Sequence, residues 1–238
     1  MNEFEISKAL KDSLSSSVSE LGVDSADATL DVVASLQGLT GIPIFALLKD
    51  ASKIGIAIRD RNFAKNIICF LNTLNKGVVD KEEINKHMAK LSSDEKSMKR
   101  EMDLIATLLD KFTKTRKAEI LANLYKNYIK GYMQWGDLDY FSVILESFNV
   151  FDELYLRSIY DSNLEIIPNK GWSEAALARF ESIGLIVKYK KQSKDIIGRL
   201  SAEGTMFYEL GIIGEPFHYK VVPFYWHNDS VEKEVEYV

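Results

Sequence analysis

The chain is expected to fold as a mainly α-helical protein whose C-terminal part adds a small α+β unit. Three observations predict this. Prolines are absent between Pro43 and Pro168, so the ring that breaks helix interiors is missing from that run. Within it, apolar residues recur at three- and four-residue spacing, the period of one helix face. Past Trp172 the pattern changes to helix, strand, polar loop, strand, helix. That order is the grammar of a winged helix, so the C-terminal unit is read as winged-helix-like.

Residues 1–36 read as two amphipathic helices. Phe4, Ile6, Leu10 and Leu14 form the first stripe, and Ala28, Leu30, Val33 and Leu36 the second. The serines between Ser13 and Ser19 mark an expected weak point. Gly38 to Pro43 breaks the chain, and Pro43 suits the first turn of a new helix. From Ile44 to Leu74 runs the most apolar long segment, with Leu47, Leu48, Ala51, Ile54 and Ile58 on one face. Arg59, Asp60 and Arg61 interrupt it. Asp80 with Glu83, and Ser92 with Glu95, have the spacing of capping boxes.

The spacing then predicts helices over 94–112 and 115–130, the second stopped by Gly131. Another helix is expected to start at Asp137 or Asp139. Phe151 to Tyr160 is expected to open the C-terminal unit. Its next helix, Ser173 to Ser182, places Ala176, Leu177 and Phe180 on one side, and Gly184 ends it. Leu185 to Val187 reads as a strand, Lys188 to Asp195 as a polar loop, and Ile196 to Leu200 as the returning strand. Ser201 is placed to cap a last helix carrying Met206, Phe207 and Leu210. Two regions follow: a helical domain over 1–149, and a winged-helix-like subdomain over 150–238 with an aromatic and acidic tail.

Composition excludes several classes. The net charge of −5 does not suit a protein that coats nucleic acid. Cys69 is the only cysteine, which removes intramolecular disulfides and cysteine-based zinc sites and points to a reducing, cytoplasmic setting. The acidic start lacks the pattern of a signal peptide. Gly38 to Leu48 is about half the ~20 residues that span a bilayer, so no transmembrane helix is expected.

Catalytic signatures are missing: no phosphate loop, no dinucleotide fingerprint, no nucleophile elbow and no paired-histidine zinc motif. No catalytic residue, cofactor or metal is therefore assigned. His87, four residues after Glu83, and His218 with His227 and Asp229 could in principle hold a metal. Solvated or edge positions describe them better. Cys69, between Ile68 and Phe70, reads as a core residue.

Two sets of residues are candidates for binding. Lys188, Lys190, Lys191, Lys194 and Arg199 meet one acid, Asp195, a local surplus suited to phosphate contact. The helix before them carries Glu174, Arg179 and Glu181, which gives it no positive surplus for reading bases. Arg59 and Arg61, beside Ile54 and Ile58, are candidates for contact with a protein partner or a membrane face. A second basic region runs from Lys96 to Lys130 and includes Lys111, Lys114 and Lys117. With acids interleaved, it reads as a solvated face.

Two stretches, Gly41 to Phe45 with Ile58 to Lys65, and Lys117 to Gly131, resemble a group of bacterial and prophage helical proteins without an assigned activity. Leu185-Ile186 and Leu200 to Gly204 are similar to the end of abortive-infection proteins of the alpha type. The resemblance covers about two-thirds of the chain, holds no catalytic motif, and implies a setting of phage–host conflict. The expected function is a non-enzymatic interaction protein, binding a protein partner or a membrane face through its helical half. The alternatives are a nucleic-acid-binding regulator that uses the basic loop and, third, a metal-dependent enzyme.

Overall fold

A computed structural model describes residues 3–14, 41–46, 58–75, 81–161, 174–190 and 196–216. Over these residues the protein is mainly helical, with one two-stranded sheet. The helices are α1 (Glu3–Leu14), α2 (Ile58–Asn75), α3 (Lys81–Ser92), α4 (Glu95–Lys111), α5 (Thr115–Ile129), α6 (Trp135–Ser147), α7 (Glu153–Asp161) and α8 (Glu174–Ser182). Strands β1 (Ile186–Lys190) and β2 (Ile196–Leu200) follow, then α9 (Ala202–Met206). That helix widens without a break into π-helical turns over Phe207–Ile213. A short turn, Val150–Asp152, joins α6 to α7.

Helix α5 is the axis of the molecule, packing against α2, α3, α6 and the π-helical turns. Its sequence explains this. Ala118, Ile120, Leu121, Ala122, Leu124 and Tyr125 are all sealed from solvent, and a helix that is apolar around most of its circumference has to lie inside. Helix α4 is instead one-sided. Met98, Met102, Ile105, Leu108 and Leu109 face inward, and α1 and α2 pack on it. The buried apolar residues form one cluster that runs from Leu10 to Ile212.

Polar side chains close the helix ends inside this core. Asn66 on α2 donates to the carbonyls of Leu109 and Phe112, 2.7 Å each, at the end of α4. The last turns of the π-helix are closed in the same way by α5. Arg116 reaches the Ile212 carbonyl at 3.3 Å and Asn123 that of Gly211 at 2.9 Å. Asn127 reaches Leu210 at 2.9 Å and Gly214 at 3.2 Å. Unmet carbonyls at a buried helix end are costly, and these donors meet them.

Several ends differ from the expected ones. Asp94, not Ser92, caps α4, accepting from Lys96 and Ser97 at 3.1 Å. Ser92 belongs to α3 and bonds back to the Met88 carbonyl at 2.8 Å. Helix α6 starts at Trp135, and the Gln134 backbone amide before it donates to the Asp137 carboxylate at 2.7 Å. Of the serines expected to mark a weak point, Ser13 is buried, donates to the Ala9 carbonyl at 2.7 Å and accepts from the Ile44 amide at 3.0 Å, while Ser15 to Ser19 lie outside the described residues. Pro43 opens a helical turn at 43–46, as expected.

The C-terminal elements follow the predicted order. Gly184 has φ +78°, the left-handed residue that turns the chain out of α8. The hairpin pairs Ile186 with Leu200 and Lys190 with Ile196. Lys188 and Lys190 therefore lie in β1 rather than in the loop. Ser201 accepts from the Gly204 amide at 2.8 Å and caps α9. Gly204 is needed for another reason: a Cβ there would lie 1.9 Å from the Leu185 carbonyl oxygen.

Candidate functional site

Two features stand out from ordinary helix packing: a polar cluster inside the bundle and an apolar face outside it. The cluster centres on Glu101, an inward-facing residue of α4 that is 2% exposed. A buried carboxylate is tolerable only when its oxygens are satisfied. Three groups do so. The Tyr125 hydroxyl reaches Oε1 at 2.6 Å, His87 Nε2 reaches the same oxygen at 2.7 Å, and the Tyr128 hydroxyl reaches Oε2 at 3.2 Å.

Which of His87 Nε2 and Glu101 Oε1 donates is set by the tautomer of the imidazole. Burial first, and the adjacent Glu101 charge second, push the Tyr125 and Tyr128 hydroxyls above the ordinary tyrosine value. The rings pack edge to face, with Tyr128 against His87 at 5.3 Å and against Trp135 at 6.1 Å. The Arg100 guanidinium covers Trp135 at 4.6 Å. The cluster thus ties α3, α4 and α5 together. It places His87 on Glu101 rather than in a metal site with Glu83. Among the described residues, no group of three or more His, Cys, Asp and Glu could hold a metal.

The outer face lies where α6 gives way to α7. Seven large apolar side chains are exposed among the described residues, and four of them, Tyr140, Val143, Phe151 and Leu154, fall in this stretch. Phe151 and Leu154 are each 72% exposed. The local turn explains the placement. Phe148 turns inward against Phe180 and Phe207. Asn149 then accepts from the Phe151 amide at 3.2 Å and starts a tight turn. Leu156 and Ile159 return to the core, which leaves Phe151 and Leu154 on the outer side.

The two residues between them are clamped. Asp152 receives Arg179 through two bonds, 2.6 and 2.8 Å. Glu153 receives Arg116 through two, 2.9 and 2.7 Å, and Arg116 also bonds Glu119 at 2.8 Å. The Glu153 hydrogen bond, ahead of the opposing effect of burial, holds the Arg116 guanidinium above its ordinary value. Such two-pronged pairs fix geometry as well as charge. The exposed apolar pair therefore stands on a rigid base.

Lysines border this face. Lys114 Nζ lies 5.2 Å over the Phe151 ring. Lys111 pairs with Glu146 at 2.8 Å, and Lys117 bonds the Glu146 carbonyl at 2.8 Å. Burial lowers the Lys117 ammonium below its ordinary value, against the pull of Glu146.

Apart from His87, the candidate binding and metal residues named from the sequence belong to neither feature or lie outside the described residues. Lys188 and Lys190 belong to β1 and Arg199 to β2, where Arg199 is exposed. Arg199 pairs with Val187 across the ladder. Lys191 and Lys194 lie outside the described residues, as do Ile54, His218, His227 and Asp229. Ile58, Arg59 and Arg61 open α2, their side chains outside the description. The apolar segment that carries these residues is core where its side chains are described: Ile42, Ile44, Phe45 and most of Phe63 to Leu74 are buried. Cys69 is buried among them. Arg179, the cation of α8, is spent on Asp152.

The Glu101 cluster and the Phe151 face were both missed from sequence. A carboxylate at an inward helical position was a signal for the first, since Glu101 shares the stripe of Met98, Met102 and Ile105. No helix among the described residues is long and apolar enough to cross a membrane. No protein-family model matches the chain, and comparisons with curated proteins and with solved structures find no match.

Proposed function

We propose that this chain is a non-enzymatic, protein-binding module whose contact face is built around Phe151 and Leu154. One observation carries the reading: two large apolar side chains, each 72% exposed, flank a pair of carboxylates clamped by Arg116 and Arg179. Rigid apolar anchors lose little freedom on binding, which is what an effective contact residue needs. The setting remains the phage–host conflict that the sequence resemblance implies. The test is affinity capture from the host, with and without phage, using the native chain and the Phe151→Asp/Leu154→Asp variant. A protein held by the first and lost by the second is the expected result. Capture of the same proteins by both would overturn the reading.

The second reading is a nucleic-acid contact made by the hairpin. The order α7, α8, β1, β2, α9 supports a winged-helix arrangement, and Lys188 and Lys190 sit in its strand. With Arg179 occupied by Asp152, the contact would rest on the hairpin and its loop rather than on α8. It predicts binding that weakens steeply with salt and is lost in Lys190→Glu/Lys191→Glu. Unaltered binding by that variant would remove it. A membrane contact through Arg59, Arg61, Ile54 and Ile58 is the least supported reading, because the apolar residues described beyond them are buried.

A further inference from the structure

The lysine on the Phe151 ring says what kind of partner this face accepts. Lys114 is exposed, and no carboxylate among the described residues pairs with it. Its ammonium is held over the ring by the attraction between a cation and an aromatic face. Nearby Lys111 and Lys117 already share Glu146, one through the carboxylate and one through the carbonyl. Glu153 is committed to Arg116 and Asp152 to Arg179. Among the described residues, the three carboxylates of this corner are thus each held by another cation.

Any surface that covers Phe151 also covers the ammonium lying on it. Desolvating an unpaired charge opposes binding, whereas an opposite charge on the partner offsets that cost and a like charge adds to it. We infer that the face binds a protein segment in which apolar side chains alternate with or flank carboxylates. The apolar groups seat on Phe151 and Leu154, and one carboxylate meets Lys114. This rests on the protein-binding reading and adds to it the chemistry of the partner. The face selects against basic apolar segments, since those bring a second cation to Lys114.

The probes are two fluorescein-labelled peptides, one of glutamate, leucine and phenylalanine, the other with lysine in place of each glutamate. Fluorescence anisotropy is read with the native full chain, Lys114→Glu and Phe151→Asp/Leu154→Asp. The acidic peptide is expected to bind the native chain and to weaken about fivefold on Lys114→Glu, the size of an exposed charge contact. The basic peptide is expected to gain affinity for Lys114→Glu, and the double variant to bind neither. Equal binding of both peptides to the native chain would overturn the charge preference and leave the apolar face standing. Binding of neither, with host capture still dependent on Phe151 and Leu154, would also overturn it while the protein-binding reading survives. A labelled single-stranded oligonucleotide that binds in a Lys114-dependent way, with the acidic peptide silent, would replace the carboxylate with a phosphate and overturn the inference.

Discussion

The Tyr125 hydroxyl donates to the Glu101 carboxylate across 2.6 Å, and both residues are shut off from solvent. Glu101 also satisfies His87 and Tyr128. Replacing it by leucine strands these groups together. The expected loss is about 2–4 kcal/mol in denaturant unfolding, with a smaller loss for Glu101→Gln, which keeps one acceptor oxygen. If the leucine variant equals the glutamine variant in stability, the cluster is not the brace described above.

The same cluster predicts an alkaline limit. In the unfolded chain, tyrosine loses its proton near 10.0, the ordinary value. In the folded protein, burial and Glu101 keep the Tyr125 and Tyr128 protons on to higher pH. The unfolded state therefore releases protons first. The stabilisation is complete below the unfolded value and declines as pH rises beyond it. Thermal midpoints should fall as pH rises above about 10, and less steeply in Tyr125→Phe. Tyr160, raised by burial and then by its bond to Glu209, keeps some of the slope in that variant. Parallel pH curves for the variant and the native chain would contradict this assignment.

Two glycines should respond in opposite ways to alanine. At Gly204 the added Cβ meets the Leu185 carbonyl oxygen at 1.9 Å, a contact only a backbone shift relieves. A loss of about 2–3 kcal/mol is expected, as for other overpacked sites. At Gly136, in the first turn of α6, a Cβ meets nothing within 4 Å. There the gain in helix propensity should leave the protein unchanged or up to about 1 kcal/mol more stable. Calorimetry of the pair settles whether α9 sits as closely against Leu185 as described.

The Phe151→Asp/Leu154→Asp variant should fold normally. Both side chains are 72% exposed, and substitutions at such positions shift stability by about 0.5 kcal/mol or less. Circular dichroism and the thermal midpoint check this. A large loss of stability would mean that these residues pack in solution and are not a free face.

The sequence carried the helical architecture well because α4 and α5 announce it by spacing alone. The hairpin, the Ser201 cap and the Gly184 turn were also legible, each resting on one local rule. What escaped depends on distant partners. Asp94 outcompetes Ser92 as a cap because the preceding helix runs through Ser92. Glu101 has the spacing of the inward stripe of α4, but the groups that satisfy it, Tyr125 and His87, arrive from other helices. Phe151 has the spacing of a core position, and only the turn at Asn149 puts it outside. Lys114 was read as one charge of a solvated face, which it is, but its position over Phe151 comes from α5 meeting the α6–α7 corner.

The carbonyls that α5 closes at the end of the π-helix set an order of events during synthesis. Arg116, Asn123 and Asn127 emerge from the ribosome well before Leu210 to Gly214. Until those residues follow, three side chains on the central helix have no acceptors at that end, and the apolar surface around Ile120 and Leu124 that Gly211 will cover stays open. The nascent bundle is thus unfinished along its own axis. The interval between α5 and the π-helical turns is the time during which a chaperone would find it exposed.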